Sequence, residues 1–171
     1  MKRGSIVATL LVAALFPATA GAGSTDPNAH CAKQIQGTAF DDHLTGTHLG
    51  DAMFGVGGDD TLVAYAGSDC LYGGSGDDYQ SGGKGNDYFE GNAGNDRLYG
   101  GDCDDDLNGN SGNDVISGGR GEDQIAAGRG NDRVDVSQQG ADLVDCGTGK
   151  DTVVITPIDG YRNCEKVIIK R

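Results

Sequence analysis

Tryptophan is absent, proline occurs three times, and Leu, Ile, Val and Phe together supply only 33 of 171 residues. That share falls just under the ~20% below which a strongly charged chain lacks the apolar surface for an ordinary core. Positive charge is also scarce: 13 Lys and Arg stand against 26 acids, giving a net charge of −13. Such a balance argues against nucleic acid and anionic membrane as partners and points toward cations or basic ligands. Glutamate is nearly missing, with Glu90, Glu122 and Glu165 the only three among the acids. What the chain does have is Asp and Gly, the latter 31 residues, more than twice the usual ~7%. The length suits one domain.

Met1 to Ala22 reads as a secretory signal peptide. Lys2 and Arg3 form its basic start, and Ile6 to Phe16 form an apolar stretch too short to span a bilayer. Ala18-Thr19-Ala20 and Ala20-Gly21-Ala22 both fit a small-x-small cleavage site. No later apolar run is long enough to cross a membrane, so the expected product is secreted and extracellular. Cleavage after Ala20 would leave 11 basic and 26 acidic residues, a net charge of −15.

A nine-residue period organises most of the remaining chain. Cut from Gly37, it falls into eleven contiguous blocks ending at Asp135, beginning GTAFDDHLT, GTHLGDAMF, GVGGDDTLV. Position six is Asp in all eleven, from Asp42 to Asp132; position one is Gly in nine, position four is Gly in eight, and position eight is apolar in ten, with Gln80 the exception. The phase slips by one residue near Val136, and two weaker units, Ser137 to Asp145 and Cys146 to Val154, keep Asp142 and Asp151 at position six. Residues 23–36 read as an entry cap, 37–154 as the repeat region, and 155–171, with Val167, Ile168 and Ile169, as an exit cap.

Each unit is expected to hold a Gly-rich turn at positions one to six, where Gly at one and four permits positive φ, and a short strand at seven to nine with one inward side chain. One inward apolar residue per nine is too few for a sandwich. It suits a narrow parallel coil of two thin sheets, two units per turn, with strand neighbours 18 residues apart. Thirteen units would make about 6.5 turns and a rod of roughly 31 Å. Stacking then piles the position-six carboxylates in columns at about 4.8 Å with no matching column of Lys or Arg. A cation must sit among them, and carboxylates beside turn carbonyls form the all-oxygen, flexible surroundings that suit Ca²⁺ better than Mg²⁺ or Zn²⁺.

The blocks GGSGDDYQS, GGKGNDYFE and GGRGEDQIA carry all three glycines and the Asp of the repeats-in-toxin (RTX) nonapeptide, G-G-x-G-x-D-x-U-x, and residues 37–154 resemble that family throughout. The resemblance implies an all-β parallel β-roll, a two-sheet β-solenoid, that binds several Ca²⁺ ions between consecutive turns of one edge. The ligands it implies are turn carbonyls and the side chains of Asp60, Asp69, Asp78, Asp87, Asp96, Asp105, Asp114, Asp123 and Asp132. The first two units depart from the pattern, with Phe40 and Leu49 in place of Gly, which argues against metal at those turns. Cys103 replaces Gly in the eighth unit, and Gln80 puts a polar group in the core. The chain resembles the small secreted calcium-binding proteins built mostly of such repeats, and no catalytic domain is expected in it.

Of the five cysteines, Cys146 and Cys164 lie 18 residues apart and flank the exit cap. They are expected to be bonded, and a bridge over such a loop contributes about 3 kcal/mol. Cys70 and Cys103 sit two turns apart, about 9.6 Å along the axis and beyond disulfide reach. Cys31 has no evident partner, and the odd count leaves at least one thiol free or intermolecular. His30, His43 and His48 raise a zinc site near the entry cap, but scattered surface histidines are the simpler reading. Asn86, Asn95, Asn113 and Asn131 at position five raise an ice-binding face, which the irregular position three argues against. No hydrolase motif is present, and Asp pairs such as Asp59-Asp60 recur too regularly for a glycosidase centre. The expectation is a non-enzymatic, secreted calcium-binding protein whose metal uptake is coupled to folding. The alternative is a cell-surface or matrix adhesion scaffold that calcium stiffens.

Overall fold

The structure, a computed structural model, describes residues 31–170. The segment read as a signal peptide, and with it His30, lies outside them. The described chain is all β: β1 (Lys33–Gln36), β2 (His43–Thr45), β3 (Asp51–Gly57), β4 (Thr61–Ala66), β5 (Cys70–Ser75), β6 (Tyr79–Lys84), β7 (Tyr88–Ala93) and β8 (Arg97–Asp102), then β9 (Asp106–Ser111), β10 (Val115–Arg120), β11 (Gln124–Arg129), β12 (Arg133–Asp135), β13 (Leu143–Asp145), β14 (Thr152–Ile155), β15 (Gly160–Arg162) and β16 (Lys166–Ile169). Odd strands form one eight-stranded parallel sheet and even strands another, each in simple chain order. The chain is thus a parallel β-solenoid of two sheets, two strands to a turn.

It has about eight turns rather than 6.5. The added coils come from the flanking segments: β1 pairs with β3, β15 with β13, and β16 with β14. Their backbone groups find the same parallel partners as the repeats do, so these segments extend the coil.

Position eight builds the core. One sheet contributes Met53, Leu71, Phe89, Leu107, Ile125 and Val144, and the other Leu62, Gln80, Leu98, Ile116, Val134 and Val153, all buried. Register steps by 18 residues (Leu71↔Phe89, Leu98↔Ile116) until the slip near Val136 makes it 19 (Ile125↔Val144, Val134↔Val153). The inserted residue, Val136, is fully buried and donates its amide to Val154 O at 2.9 Å. The side chains on either side of the slip therefore still point inward.

The strands are longer than the three residues expected. In β6, Tyr79-Gln80-Ser81 runs straight on through Gly82-Gly83-Lys84. The two glycines at the junction do different things. Position two has positive φ (Gly74, +114°), and Val56, Tyr65, Asn92 and Asn110 take this conformation in other units. Position one, contrary to expectation, has no positive φ. Its glycine is required for space: a Cβ on Gly73 would lie 2.3 Å from Asp78 Oδ2.

Two disulfides staple the roll. Cys146 and Cys164 are joined with Cα atoms 5.1 Å apart, holding β15 and β16 to the last repeat. Cys31 is joined to Cys70, Cα atoms 6.0 Å apart. Cys31 precedes the first strand and so is not held to the stacking interval that keeps Cys70 from Cys103. The turn between contributes only the small Ala52 at the Cys70 register. Cys103 is the free, exposed cysteine among the described residues.

Candidate metal centre

The turn that links each strand to the next carries the position-six Asp, and the coil stacks these residues along two edges. One column runs Asp42, Asp60, Asp78, Asp96, Asp114, Asp132 and Asp151; the other runs Asp51, Asp69, Asp87, Asp105, Asp123 and Asp142. Within a column the carboxylates are tied to the backbone. Asp78 Oδ1 accepts the amide of Asp60 at 2.8 Å, Asp96 Oδ1 that of Asp78 at 2.9 Å, and Asp114 Oδ1 that of Asp96 at 2.9 Å. The opposite edge repeats the pattern, with Asp87 Oδ1 taking the Asp69 amide at 2.8 Å and Asp105 Oδ1 that of Asp87 at 2.9 Å. Each Oδ1 is thereby fixed, and in the units with Gly at position one the Oδ2 packs against that glycine, five residues earlier.

Those second oxygens are the signal. Oδ2 of Asp60, Asp69, Asp78, Asp87, Asp96, Asp105, Asp114, Asp123, Asp132, Asp142 and Asp151 is buried and accepts no hydrogen bond. A buried acceptor without a donor costs roughly 1–3 kcal/mol, and more when charged. Among the described residues the ion pairs are Lys33–Asp51, Arg120–Asp102, Arg162–Asp145 and Lys170–Asp135. None of them reaches the eleven. Burial pushes these carboxyls toward the neutral form: Asp78 and Asp87 to about 7, Asp105 to about 8, and Asp69, Asp96, Asp114 and Asp142 to about 6. Desolvation is the main cause, opposed by the backbone amide on Oδ1, with neighbouring carboxylates adding repulsion in the same column.

Turn carbonyls face the same spaces. A Cβ on Gly55 would lie 2.3 Å from Asp60 Oδ2 and 2.4 Å from Gly73 O; on Gly100, 2.3 Å from Asp105 Oδ2 and 2.4 Å from Gly118 O. Carboxylate and carbonyl oxygens thus converge on the position-one glycine, too close to leave room for a side-chain carbon there. Four of the eleven turns have no glycine at that position: Ala64, Ala127, Ser137 and Cys146 stand there, before Asp69, Asp132, Asp142 and Asp151. Among the described residues no three His, Cys, Asp or Glu side chains cluster as a metal group. Any cation here takes its remaining ligands from the backbone. The donor set is entirely oxygen, which fits a hard cation such as Ca²⁺.

The nine aspartates singled out by the repeat all lie in these columns with an unpartnered Oδ2. Asp142 and Asp151 also have a buried, unpartnered Oδ2, with Ser137 and Cys146 at position one, and their place at position six of the slipped units was the available sign. Asp42 and Asp51 occupy the columns, but their Oδ2 atoms are satisfied otherwise, while Asp51 Oδ1 is buried without a hydrogen bond and lies 3.9 Å from Lys33 Nζ. Thr38 donates its amide (2.6 Å) and hydroxyl (2.7 Å) to Asp42 Oδ2, and Thr47 does the same for Asp51 Oδ2 at 2.6 and 2.8 Å. These are the two units with Phe40 and Leu49 at position four, and both side chains are exposed.

Position five forms a second, outer ladder. On one edge Asn95 Oδ1 accepts the amide of Asn113 at 2.8 Å, and Asn113 Oδ1 that of Asn131 at 2.8 Å. The asparagines therefore serve the backbone of the next turn.

The RTX calcium-binding nonapeptide-repeat model matches residues 50–80, 81–116 and 104–134. This is an RTX-type calcium-binding repeat protein. The matched segments carry all nine of the aspartates named from the repeat. No curated protein matches the chain. RTX β-rolls are typically structural rather than catalytic and typically extracellular. Among the described residues no helix is long and apolar enough to cross a membrane.

Proposed function

We propose that the protein is a secreted, non-enzymatic calcium-binding β-roll in which metal uptake completes folding. The ions are held between successive turns of one edge by Asp60, Asp69, Asp78, Asp87, Asp96, Asp105, Asp114, Asp123 and Asp132, together with turn carbonyls, and Asp142 and Asp151 extend the set. The observation that carries this reading is the run of buried Oδ2 atoms with neither donor nor cationic side chain. Bound Ca²⁺ supplies the positive charge these oxygens need.

The energetics point the same way. One buried apolar side chain per nine residues offsets only part of the backbone entropy lost in ordering them. Ladder hydrogen bonds recover part of this, and each buried carboxylate adds to the deficit. A ligand that binds only the folded turns makes its binding free energy available to folding. Extracellular calcium modules work at about 10⁻⁴–10⁻³ M, so export would itself be the trigger.

Far-ultraviolet circular dichroism during a calcium titration, paired with calorimetry, tests this. A β-sheet signal that grows with calcium and collapses in chelator is expected. An equal β signal in chelator would refute the coupling.

A further inference from the structure

Position eight is apolar in every repeat of the main series except one. Gln80 stands there between Leu62 and Leu98 in register, with no solvent exposure. Its side chain crosses from β6 to the opposite sheet, where Nε2 donates to Glu90 O at 2.9 Å. Its Oε1 is buried and accepts nothing. An apolar residue would fill this place without leaving an acceptor unsatisfied, so the core by itself gives no reason for a carboxamide.

The neighbouring turn gives one. The point where Gly73 would carry a Cβ lies 2.3 Å from Asp78 Oδ2, 2.9 Å from Gly91 O and 2.6 Å from Gln80 Nε2. The end of the Gln80 side chain therefore stands beside Gly73, where carboxylate and carbonyl already meet. Two unpartnered oxygens, Asp78 Oδ2 and Gln80 Oε1, belong to groups at this one place. A carboxamide can turn half a circle about its last bond and exchange oxygen for nitrogen with little change of shape, here giving up the Nε2 bond to Glu90 O, a loss that the cation must offset. Beside a cation the oxygen faces inward, because an NH₂ group is a donor only. Carboxamide oxygens are ordinary Ca²⁺ ligands.

We infer that Gln80 is an additional side-chain ligand of the cation held at the Asp78 turn, which makes that site unlike any other in the roll and the tightest of them. This rests on the calcium-binding reading above. In the other units the corresponding side chain is apolar and offers a cation no oxygen.

Calorimetric titration of the wild type, Q80L and Q80E with CaCl₂ at neutral pH, read together with thermal unfolding, tests it. In Q80L one site is expected to weaken at least tenfold while the others keep their affinities. In Q80E, which retains an oxygen and adds charge, that site is expected to bind at least as tightly as in wild type. Unchanged affinities in Q80L with a higher melting temperature would overturn the inference and leave Gln80 an unsatisfied core group. If Q80L does not fold in calcium, Q80E decides. A folded, calcium-loaded Q80E supports the ligand role, and failure of both variants overturns it. Failure of the underlying reading is distinct, since the wild type would then take up no calcium.

Discussion

The turns at the ends of the roll and those between them place the same residue in the same position and close it differently. Near the N-terminal end, Thr38 and Thr47 bond Asp42 and Asp51 through amide and hydroxyl. At the other end Thr156 does likewise for Asp159, at 2.5 Å from its amide and 3.0 Å from its hydroxyl. Between them, from Asp60 to Asp151, the corresponding oxygen has no donor. The residue five or fewer positions upstream makes the difference. Where Thr precedes, its hydroxyl and amide fold onto the carboxylate. Where G-G-x-G or a close variant precedes, the chain takes positive φ there and neither an amide nor a hydroxyl reaches the second oxygen. A position-six Asp is thus a capping residue in one setting and a candidate metal ligand in the other.

The largest expected break of this comparison is removal of calcium. In chelator at pH 8 the central turns should lose their β signal. Lowering the pH should restore part of it. The folded-state carboxyls of Asp78, Asp87 and Asp105 lie at about 7 to 8, above the ordinary 3.8 of an Asp in the unfolded chain. Folding therefore takes up protons, and this contribution is fully present below about pH 4 and lost as pH rises through 6–8. With calcium present the direction reverses, because protons and the metal compete for the same oxygens. A metal-free protein whose β signal is flat from pH 4 to 8 would contradict the burial of these groups.

Next is a matched pair of substitutions. Asp96→Asn removes a buried charge that has no cationic side chain beside it. It should raise the calcium midpoint about tenfold or more, equivalent to at least ~1.4 kcal/mol. Asp42→Asn, at a Thr-bonded turn, should leave the number of bound ions unchanged. Equal effects of the two on calcium calorimetry would erase the distinction between end and centre.

A graft sharpens it further. Replacing Val56-Gly57-Gly58 by the Thr-Ala-Phe of the first unit (V56T, G57A and G58F together) should convert Asp60 from an unpartnered to a Thr-bonded carboxylate. The expected outcome is a lower calcium stoichiometry with folding preserved. An unchanged stoichiometry would show that position two does not set the role of the turn.

The smallest effect belongs to Thr47→Val. Loss of a cap of this kind costs about 1 kcal/mol, and the loss should be the same in calcium and in chelator at acid pH. Chemical denaturation under both conditions reads it directly.

Much of the roll is legible in the sequence. The nine-residue grid, Asp at position six and one apolar side chain at position eight recur often enough to imply a two-sheet coil, its inward face and its acid columns. The Thr-bonded turns leave a mark as well, since GTAFDD and GTHLGD share Thr at position two and lack Gly at position four. That mark registers only as a departure, because its meaning lies in a hydrogen bond. The flanking segments cannot be recognised as coils from period alone, for they pair by backbone and need no repeat. Position-one glycine suggests a positive φ when its reason is the carboxylate packed over it, a contact that the stacking creates.

Local chemistry therefore determined the coil: glycine where positive φ or close approach is needed, one inward side chain per strand, and an Asp at every turn. What only the tertiary structure decided lies one or two turns away along the axis. The amide that fixes each Oδ1 comes from a residue 18 or 19 positions earlier. The thiol that meets Cys31 belongs to Cys70, and the carboxamide of Gln80 reaches Gly73 from the opposite sheet. Such contacts follow from the pitch and stacking of the finished coil, which bring together groups that no nine-residue window contains.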